Sequence, residues 1–255
     1  MPKEMPRPKQ PRKTLFRKLA ASVLKRYPDL INKHTDFHVA CKPDFHASLH
    51  QIENFESLYE IWVQKEPKNN RGDLVRFYFL YLQIQSLQAR GIAGAFAELG
   101  VFQGTTAKLF RMLAPERELF LFDTFEGFAA EDTQHEAWLS GSQAGKWAAS
   151  LESTKAYVGE TNTYFIKGRF PETAGQVPEQ TRFALVHLDS DLYAPQIEGL
   201  RFFYPRMARG GAMIVHDCNN SFAGSRKALD EFFADKAETP VFIPDKSGSA
   251  IMIKL

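Results

Sequence analysis

Two acidic clusters follow short apolar runs of the sequence, and their residue types suit cation binding. Asp189 and Asp191, two residues apart, come directly after one such run, and His216 and Asp217 come directly after the next. Like charges at this density are costly unless a cation compensates them. We interpret Asp189, His216 and Asp217 as candidate metal ligands. The alternative is two separate turn caps, with His216 in the core.

Oxygen-rich ligation predicts Mg²⁺, Mn²⁺ or Ca²⁺ at such a site. An imidazole in the shell shifts the preference toward Mn²⁺, Fe²⁺ or Zn²⁺. The expected metal is therefore divalent, with Mg²⁺ first among the candidates, and His216 leaves its identity open.

An earlier apolar run ends in an acid and a glycine-containing turn. Glu98 and Gly100 are followed by Gly104, which opens a helical pattern beginning at Thr105. A dinucleotide fingerprint requires its second glycine at the position held here by Phe102. A ligand without a pyrophosphate fits better, and an acid at a strand end suits a cationic amine. S-adenosylmethionine (SAM) offers an ammonium group and no phosphate, so these residues are candidate SAM contacts, although a plain glycine turn would have the same sequence.

Two further run ends add candidate contacts to the same ligand. Asp123 lies 25 residues after the first acid, about the offset at which Rossmann-like folds bind a ribose diol. Thr124 and Phe125 follow it in the turn. After the third run, Gly168 would let the backbone approach an adenine ring and Phe170 would pack near it. A simple turn is the alternative at this third position.

These side chains need a sheet whose strands end at one edge. Apolar runs of strand length alternate with helical patterns, which is typical of a doubly wound, mostly parallel α/β sheet. The predicted strands are Ala95–Leu99, Leu119–Phe122, Tyr164–Ile166, Phe183–Leu188, Ala212–Val215, Val241–Ile243 and Ala250–Ile253. The last two form a hairpin, so an antiparallel strand is expected at the C-terminus. Helices are predicted over Thr105–Leu113, Gln196–Met207 and Ser225–Phe233, and from an Asp73 cap to about Arg90.

The charge distribution divides the 255-residue chain. Residues 1–36 contain ten Lys/Arg and three Asp/Glu, a net charge of +7, which leaves −5 for the rest of a chain whose total is +2. We predict a disordered basic tail over 1–13, a helical extension over 14–72 and the catalytic α/β domain over 73–255. The balance does not indicate a nucleic-acid binder.

Other features set expectations about location and assembly. The two cysteines have no metal-like spacing, no apolar run has the length of a membrane span, and no signal peptide is visible. A cytoplasmic location without a transmembrane segment is expected. The apolar helices before residue 90 could support a homodimer.

Four motifs together resemble the macrocin/mycinamicin-type O-methyltransferases, a family that includes the novobiocin sugar 4-O-methyltransferase. They are Glu98–Gly104, the sequence DTFEGF from Asp123, the sequence DSDLY from Asp189, and Gly210-Gly211 with Val215-His216-Asp217. The resemblance spans roughly residues 73 to 255.

The resemblance implies a class I SAM-dependent fold, a divalent metal and methylation of a sugar or related hydroxyl. By position, Glu98 and Gly100 would meet the methionine part of SAM, Asp189 and Asp217 would ligate metal, and Asp191 would be the general base. His135, in a polar stretch that could cover the site, is a second candidate base. The chain departs from the family at Ser190, where Gly is usual, and at His216, where Asp is usual.

The resulting hypothesis is a SAM-dependent, metal-assisted O-methyltransferase with a small-molecule hydroxyl acceptor. Three alternatives stay open: a metal-independent small-molecule methyltransferase, a nicotinamide-dependent oxidoreductase of the same architecture, and a non-catalytic SAM-binding protein.

Overall fold

The computed structural model describes residues 55–71, 73–133, 136, 144–219 and 223–255. The predicted basic tail, the N-terminal part of the helical extension and His135 lie outside these residues. Within them, no helix has both the length and the apolar character that crossing a membrane requires. The predicted domain boundaries stay a prediction.

A seven-stranded sheet forms the centre of the fold. Its strands, in chain order, are β1 (Ala95–Leu99), β2 (Leu119–Asp123), β3 (Thr163–Lys167), β4 (Phe183–Leu188), β5 (Met207–Val215), β6 (Val241–Ile243) and β7 (Ser249–Ile253). Their order across the sheet is β3-β2-β1-β4-β5-β7-β6. Strand β7 runs antiparallel to both of its neighbours, and the other pairings are parallel. The predicted fold class is confirmed, including the antiparallel C-terminal strand.

Three of the described helices precede the sheet, and the others lie between successive strands. In chain order, the described helices are α1 (Phe55–Lys65), α2 (Pro67–Asn70), α3 (Leu74–Ala89), α4 (Thr105–Leu113), α5 (Ala130–Thr133), α6 (Leu151–Val158), α7 (Tyr193–Phe203) and α8 (Ala223–Phe233). The predicted N-cap of α3 is confirmed, because the Asp73 side chain accepts a hydrogen bond from the Arg76 backbone N–H at 3.3 Å.

Two hydrophobic cores cover the two faces of the sheet. Successive side chains of a strand point to opposite faces. In β1, Phe96 therefore packs with α1, α3 and α4, whereas Ala97 and Leu99 pack with α7 and α8. Helix α1 contributes Trp62, which is buried in the first of these cores. Strands covered on both faces must be apolar along their whole length, which is why these runs were recognisable in the sequence.

The predicted boundaries of one helix and one strand were wrong. Helix α7 begins at Tyr193, before the predicted start, because Pro195 falls in the first turn, where no N–H is needed. The helix ends at Phe203, before the predicted end, because Pro205 cannot donate the next helical hydrogen bond. Strand β5 begins at Met207, and the pairing between β4 and β5 is irregular before Ala212.

Gly100 fixes the turn from β1 into the site. It has φ of 89°, and a Cβ placed on it would lie 2.0 Å from the Asp189 carbonyl oxygen. Neither the turn nor the close approach of the two strand ends can accommodate a side chain. The ends of β1 and β4 are therefore held together at this glycine.

We predict that Gly100→Ala lowers the free energy of unfolding by about 3 kcal/mol, from backbone strain and overpacking together. Gly91→Ala is the matched control, since Gly91 has φ of 63° and a Cβ there meets nothing within 4 Å. The Gly91→Ala change should lower the free energy of unfolding only through backbone strain, by about 1 kcal/mol. Urea unfolding of both variants measures the difference, and equal losses would contradict a steric role for Gly100.

Candidate functional site

A cavity of about 330 Å³ opens at the carboxyl ends of the central parallel strands. This is the edge at which doubly wound sheets bind ligands. The predicted site residues among its lining residues are Glu98, Gly100, Thr105, Asp123, Thr124, Gly168, Phe170, Asp189, Asp191, His216 and Asp217. The structure thus brings together residues from five strand ends that are up to 119 positions apart in the numbering of the chain.

Two predicted contact residues are next to the cavity without lining it. Gly104 precedes α4, and a Cβ on it would lie 2.6 Å from Val158 and 2.9 Å from Thr154. Gly104 therefore permits close packing of α6. The Phe125 ring is buried in the core that contains α4 and α6, while its backbone N–H points to Asp123.

The Asp123 carboxylate organises the turn after β1. It accepts backbone hydrogen bonds from Val101 at 2.8 Å and Phe102 at 2.7 Å through Oδ2, and from Phe125 at 2.6 Å through Oδ1. Burial raises the pKa of Asp123, and these N–H donors oppose that rise. A carboxylate that aligns the glycine turn and also borders the cavity can position a ligand there.

Glu98 is buried beneath the cavity in contact with His187. The distance from Glu98 Oε1 to His187 Nδ1 is 3.0 Å, and Glu98 Oε2 makes no hydrogen bond with the described part of the chain. Burial, then the charges of Asp189 and Asp123, raise the pKa of Glu98 well above its ordinary value. Burial lowers the pKa of His187 to about 4, so this imidazole is neutral at pH 7. A cationic ligand group in the cavity would favour the ionised form of Glu98.

The predicted metal ligands meet at the ends of β4 and β5. His216 Nδ1 lies 2.8 Å from Asp189 Oδ1 and 3.2 Å from Asp217 Oδ2. One ligand atom from each of the three residues can be chosen so that all lie within 4.8 Å of one another. Burial would raise the pKa of Asp189, but contact with His216 and the charge of Arg76 hold it below the ordinary carboxyl range.

The Asp191 carboxyl group lacks the hydrogen bonding that Asp189 has with His216. Its Oδ1 is buried and has no hydrogen-bond partner among the described residues. Burial, then the charges of Asp189 and Asp217, raise the pKa of Asp191 well above its ordinary value. Asp191 and Asp217 have φ of 62° and 52°, which is uncommon for residues other than glycine. Such conformations cluster at functional sites.

Arg76 is a site residue that the sequence analysis missed. It lies on α3, is 6% exposed and lines the cavity. Its Nη1 contacts His216 Nε2, and its Nη2 donates to Asn70 Oδ1 at 2.6 Å. The signal was present in the sequence, because Arg76 is a single charge inside the apolar run from Leu74 to Leu82. A charge at such a position requires a buried partner.

A second ion pair also borders the cavity. Arg169 follows β3, and its Nη2 donates to the buried Asp132 of α5 at 2.7 Å. Trp147 also lines the cavity, and its ring meets that of Phe102 edge to face with centroids 5.4 Å apart. Phe170, the predicted adenine neighbour, packs against the rings of Phe122, Phe202 and Phe203, with ring centroids 5.5–6.0 Å apart.

Solved structures show the class to which this fold belongs. The O-methyltransferase NovP superposes with a TM-score of 0.65 at 19% identity, over 82% of this chain and 99% of that one. TomG of Streptomyces achromogenes, an O-methyltransferase solved with SAM, superposes with a TM-score of 0.53 at 16% identity, over 82% and 94%. The architecture is that of the class I methyltransferases.

The chain belongs to the macrocin O-methyltransferase (TylF) family, whose sequence model matches residues 75–250. This confirms the family that the motifs indicated. A curated relative from Streptomyces olivaceus, the 8-demethyl-8-(2,3-dimethoxy-alpha-L-rhamnosyl)-tetracenomycin-C 4'-O-methyltransferase, is 26% identical over 148 residues. That match covers 52% of this chain and 56% of the relative, so the chain spans about half of the relative's length.

We predict that Asp123→Asn weakens SAM binding by about tenfold or more, because an amide cannot accept from all the N–H groups that the carboxylate holds. Calorimetric titration with SAM measures the change. Glu126→Gln is the control, since Glu126 forms an exposed ion pair with Lys167 at 2.8 Å and should leave affinity unchanged. Equal SAM affinities for the Asp123 variant and the native protein would contradict a role of Asp123 in SAM binding.

Proposed function

We propose that the protein transfers the methyl group of SAM to a hydroxyl group of a small molecule, either a sugar moiety or a natural-product intermediate. The observation that carries this proposal is the convergence of acidic side chains from four strand ends on one cavity. Family membership supports the reaction type. The rhamnosyl methyltransferase activity in the relative's name supports a sugar acceptor.

The donor half of the cavity is proposed to be the ends of β1, β2 and β3. Glu98, whose Oε2 is buried without a hydrogen bond to the described residues, would attract the ammonium group of SAM. Asp123 would accept hydrogen bonds from the ribose. Gly168 and Phe170, which line the same cavity, would border the adenine.

The acceptor half is proposed to be the ends of β4 and β5. SAM supplies an electrophilic methyl group, so the acceptor oxygen attacks the methyl carbon while the carbon–sulfur bond breaks, and S-adenosylhomocysteine leaves. The hydroxyl proton passes to Asp191. A basic carboxylate is matched to this task, and such proton transfer contributes about 10²- to 10⁴-fold. Aligning the two reactants contributes on the order of 7–11 kcal/mol.

No step of this proposal requires a metal ion. One nitrogen of His216 contacts Asp189 and Asp217, and the other contacts Arg76. Both nitrogens of the imidazole are therefore in contact with protein side chains. The family resemblance implies a metal, but the side chains around Asp189 favour the metal-independent alternative.

We predict that Asp191→Asn lowers kcat by about 10²-fold or more while SAM affinity stays within about twofold, because the change removes the base and not the donor site. Methyl transfer from labelled SAM to a panel of deoxysugar glycosides gives kcat, and calorimetry gives affinity. Native turnover in the variant would contradict the role of Asp191. Absence of any methylated product across hydroxyl acceptors would contradict the proposed function.

A further inference from the structure

Helix α3 brings the positive charge of Arg76 to Asp189 and His216. Arg76 Nε lies 3.3 Å from Asp73 Oδ2, and the guanidinium covers the Trp62 ring at 4.9 Å from its centroid. Asn70, which accepts from Arg76, donates in turn to the Trp62 carbonyl oxygen at 2.8 Å. The guanidinium is thus fixed by contacts on several sides and directs one N–H group at His216.

The contact with Arg76 determines which nitrogen of His216 carries a proton. A guanidinium has only donors. In the neutral ring, Nε2 of His216, which contacts Arg76 Nη1, is therefore the acceptor, and Nδ1 carries the hydrogen. Although burial opposes it, the charge of Asp189 raises the pKa of His216 well above its ordinary value, and the protonated ring also has a hydrogen on Nδ1. Nδ1 then donates to Asp189 Oδ1 at 2.8 Å. The opposite tautomer would place two donors against each other and a lone pair against two carboxylates.

This tautomer removes one donor from the predicted metal site. A metal-ligating imidazole must present a lone pair to the ion. Here Nδ1, which faces Asp189 and Asp217, presents a hydrogen, and the lone pair of the ring, on Nε2, is taken by Arg76. The three residues are close together, but their donor set does not fit a divalent cation.

We propose that Arg76, acting through the His216 N–H, takes the place of the divalent metal ion at this site. The inference depends on the proposed methyl transfer, but its test measures metal binding and the protonation of His216, not turnover. Arg76 is a positioning residue that neutralises Asp189 and Asp217 through His216. Asp191 is left as the carboxyl group that faces the cavity without this compensation.

Manganese binding to the full chain, without any other ligand, tests the proposal. Free Mn²⁺ is measured by electron paramagnetic resonance for the native protein and for His216→Asp, which introduces the carboxylate usual in the family. We expect no stoichiometric binding by the native protein at micromolar Mn²⁺, and one bound ion per chain in the variant. One tightly bound ion in the native protein that is lost in Asp189→Asn would overturn the proposal, and so would a folded His216→Asp variant that binds no Mn²⁺.

A matched pair of variants tests the charge of Arg76. Arg76→Lys keeps the charge and should resemble the native protein, whereas Arg76→Gln removes it and should bind Mn²⁺ about tenfold more tightly or better. Equal Mn²⁺ affinities for the two variants would contradict the compensating role.

The native protein also provides a readout that does not depend on the folding of any Arg76 variant. ¹⁵N NMR of the imidazoles, assigned by comparison with His216→Asn, should show a protonated Nδ1 and an Nε2 that accepts a hydrogen bond. An unprotonated Nδ1 at His216 would overturn the tautomer and the proposal. Failure of methyl transfer alone would leave these binding and NMR results unchanged.

Discussion

The structure depends on the cost of gathering carboxylates at one partly buried edge of a sheet. Glu98, Asp189 and Asp191 all border one cavity, where Glu98 is buried and the two aspartates are partly buried. In that environment their mutual repulsion is weakly screened, which is why the pKa values of Glu98 and Asp191 rise, through burial first and neighbouring charges second. Cationic partners must offset the charges that remain ionised. The protein supplies Arg76, and the ammonium and sulfonium groups of a bound donor would add to it.

The topology of the sheet explains why the carboxylates gather at this edge. The strand order changes direction between β1 and β4, and the crevice at such a switch point is where doubly wound folds bind ligands. Gly100 holds the ends of these two strands together, and Asp123 ties the turn after β1 to β2. Helix α3 belongs to the same arrangement, because it carries Arg76 to the ends of β4 and β5.

Much of the sheet and most of the cavity could be predicted from the sequence for a physical reason. Strands buried on both faces are continuous apolar runs, and parallel strands end at the same edge, so acids after different runs had to converge. The end of helix α7 was predicted too late because the aromatic run before Tyr204 continues a helical pattern that Pro205 interrupts. Helix α6 has weak apolar periodicity and was not predicted. The homodimer and the cytoplasmic location stay predictions.

The partner of Arg76 could not be predicted from sequence patterns. The contact of Arg76 with His216 joins residues 140 positions apart, and no local pattern links them. The sequence correctly indicated that His216 and Asp189 are close, but the proton on the imidazole depends on the third partner. Residue types at strand ends therefore predicted the membership of the cluster, while the direction of each hydrogen bond required the packing of α3 against β5.

The most direct test of the central claim is a crystal structure of the full chain bound to S-adenosylhomocysteine. We predict that the ribose hydroxyls hydrogen-bond to Asp123, that the amino group lies on the Glu98 side, and that the sulfur faces the part of the cavity lined by Asp191. A nucleoside bound away from Asp123, or a sulfur separated from Asp191 by the protein core, would contradict a single cavity in which carboxylates hold the donor and accept the proton.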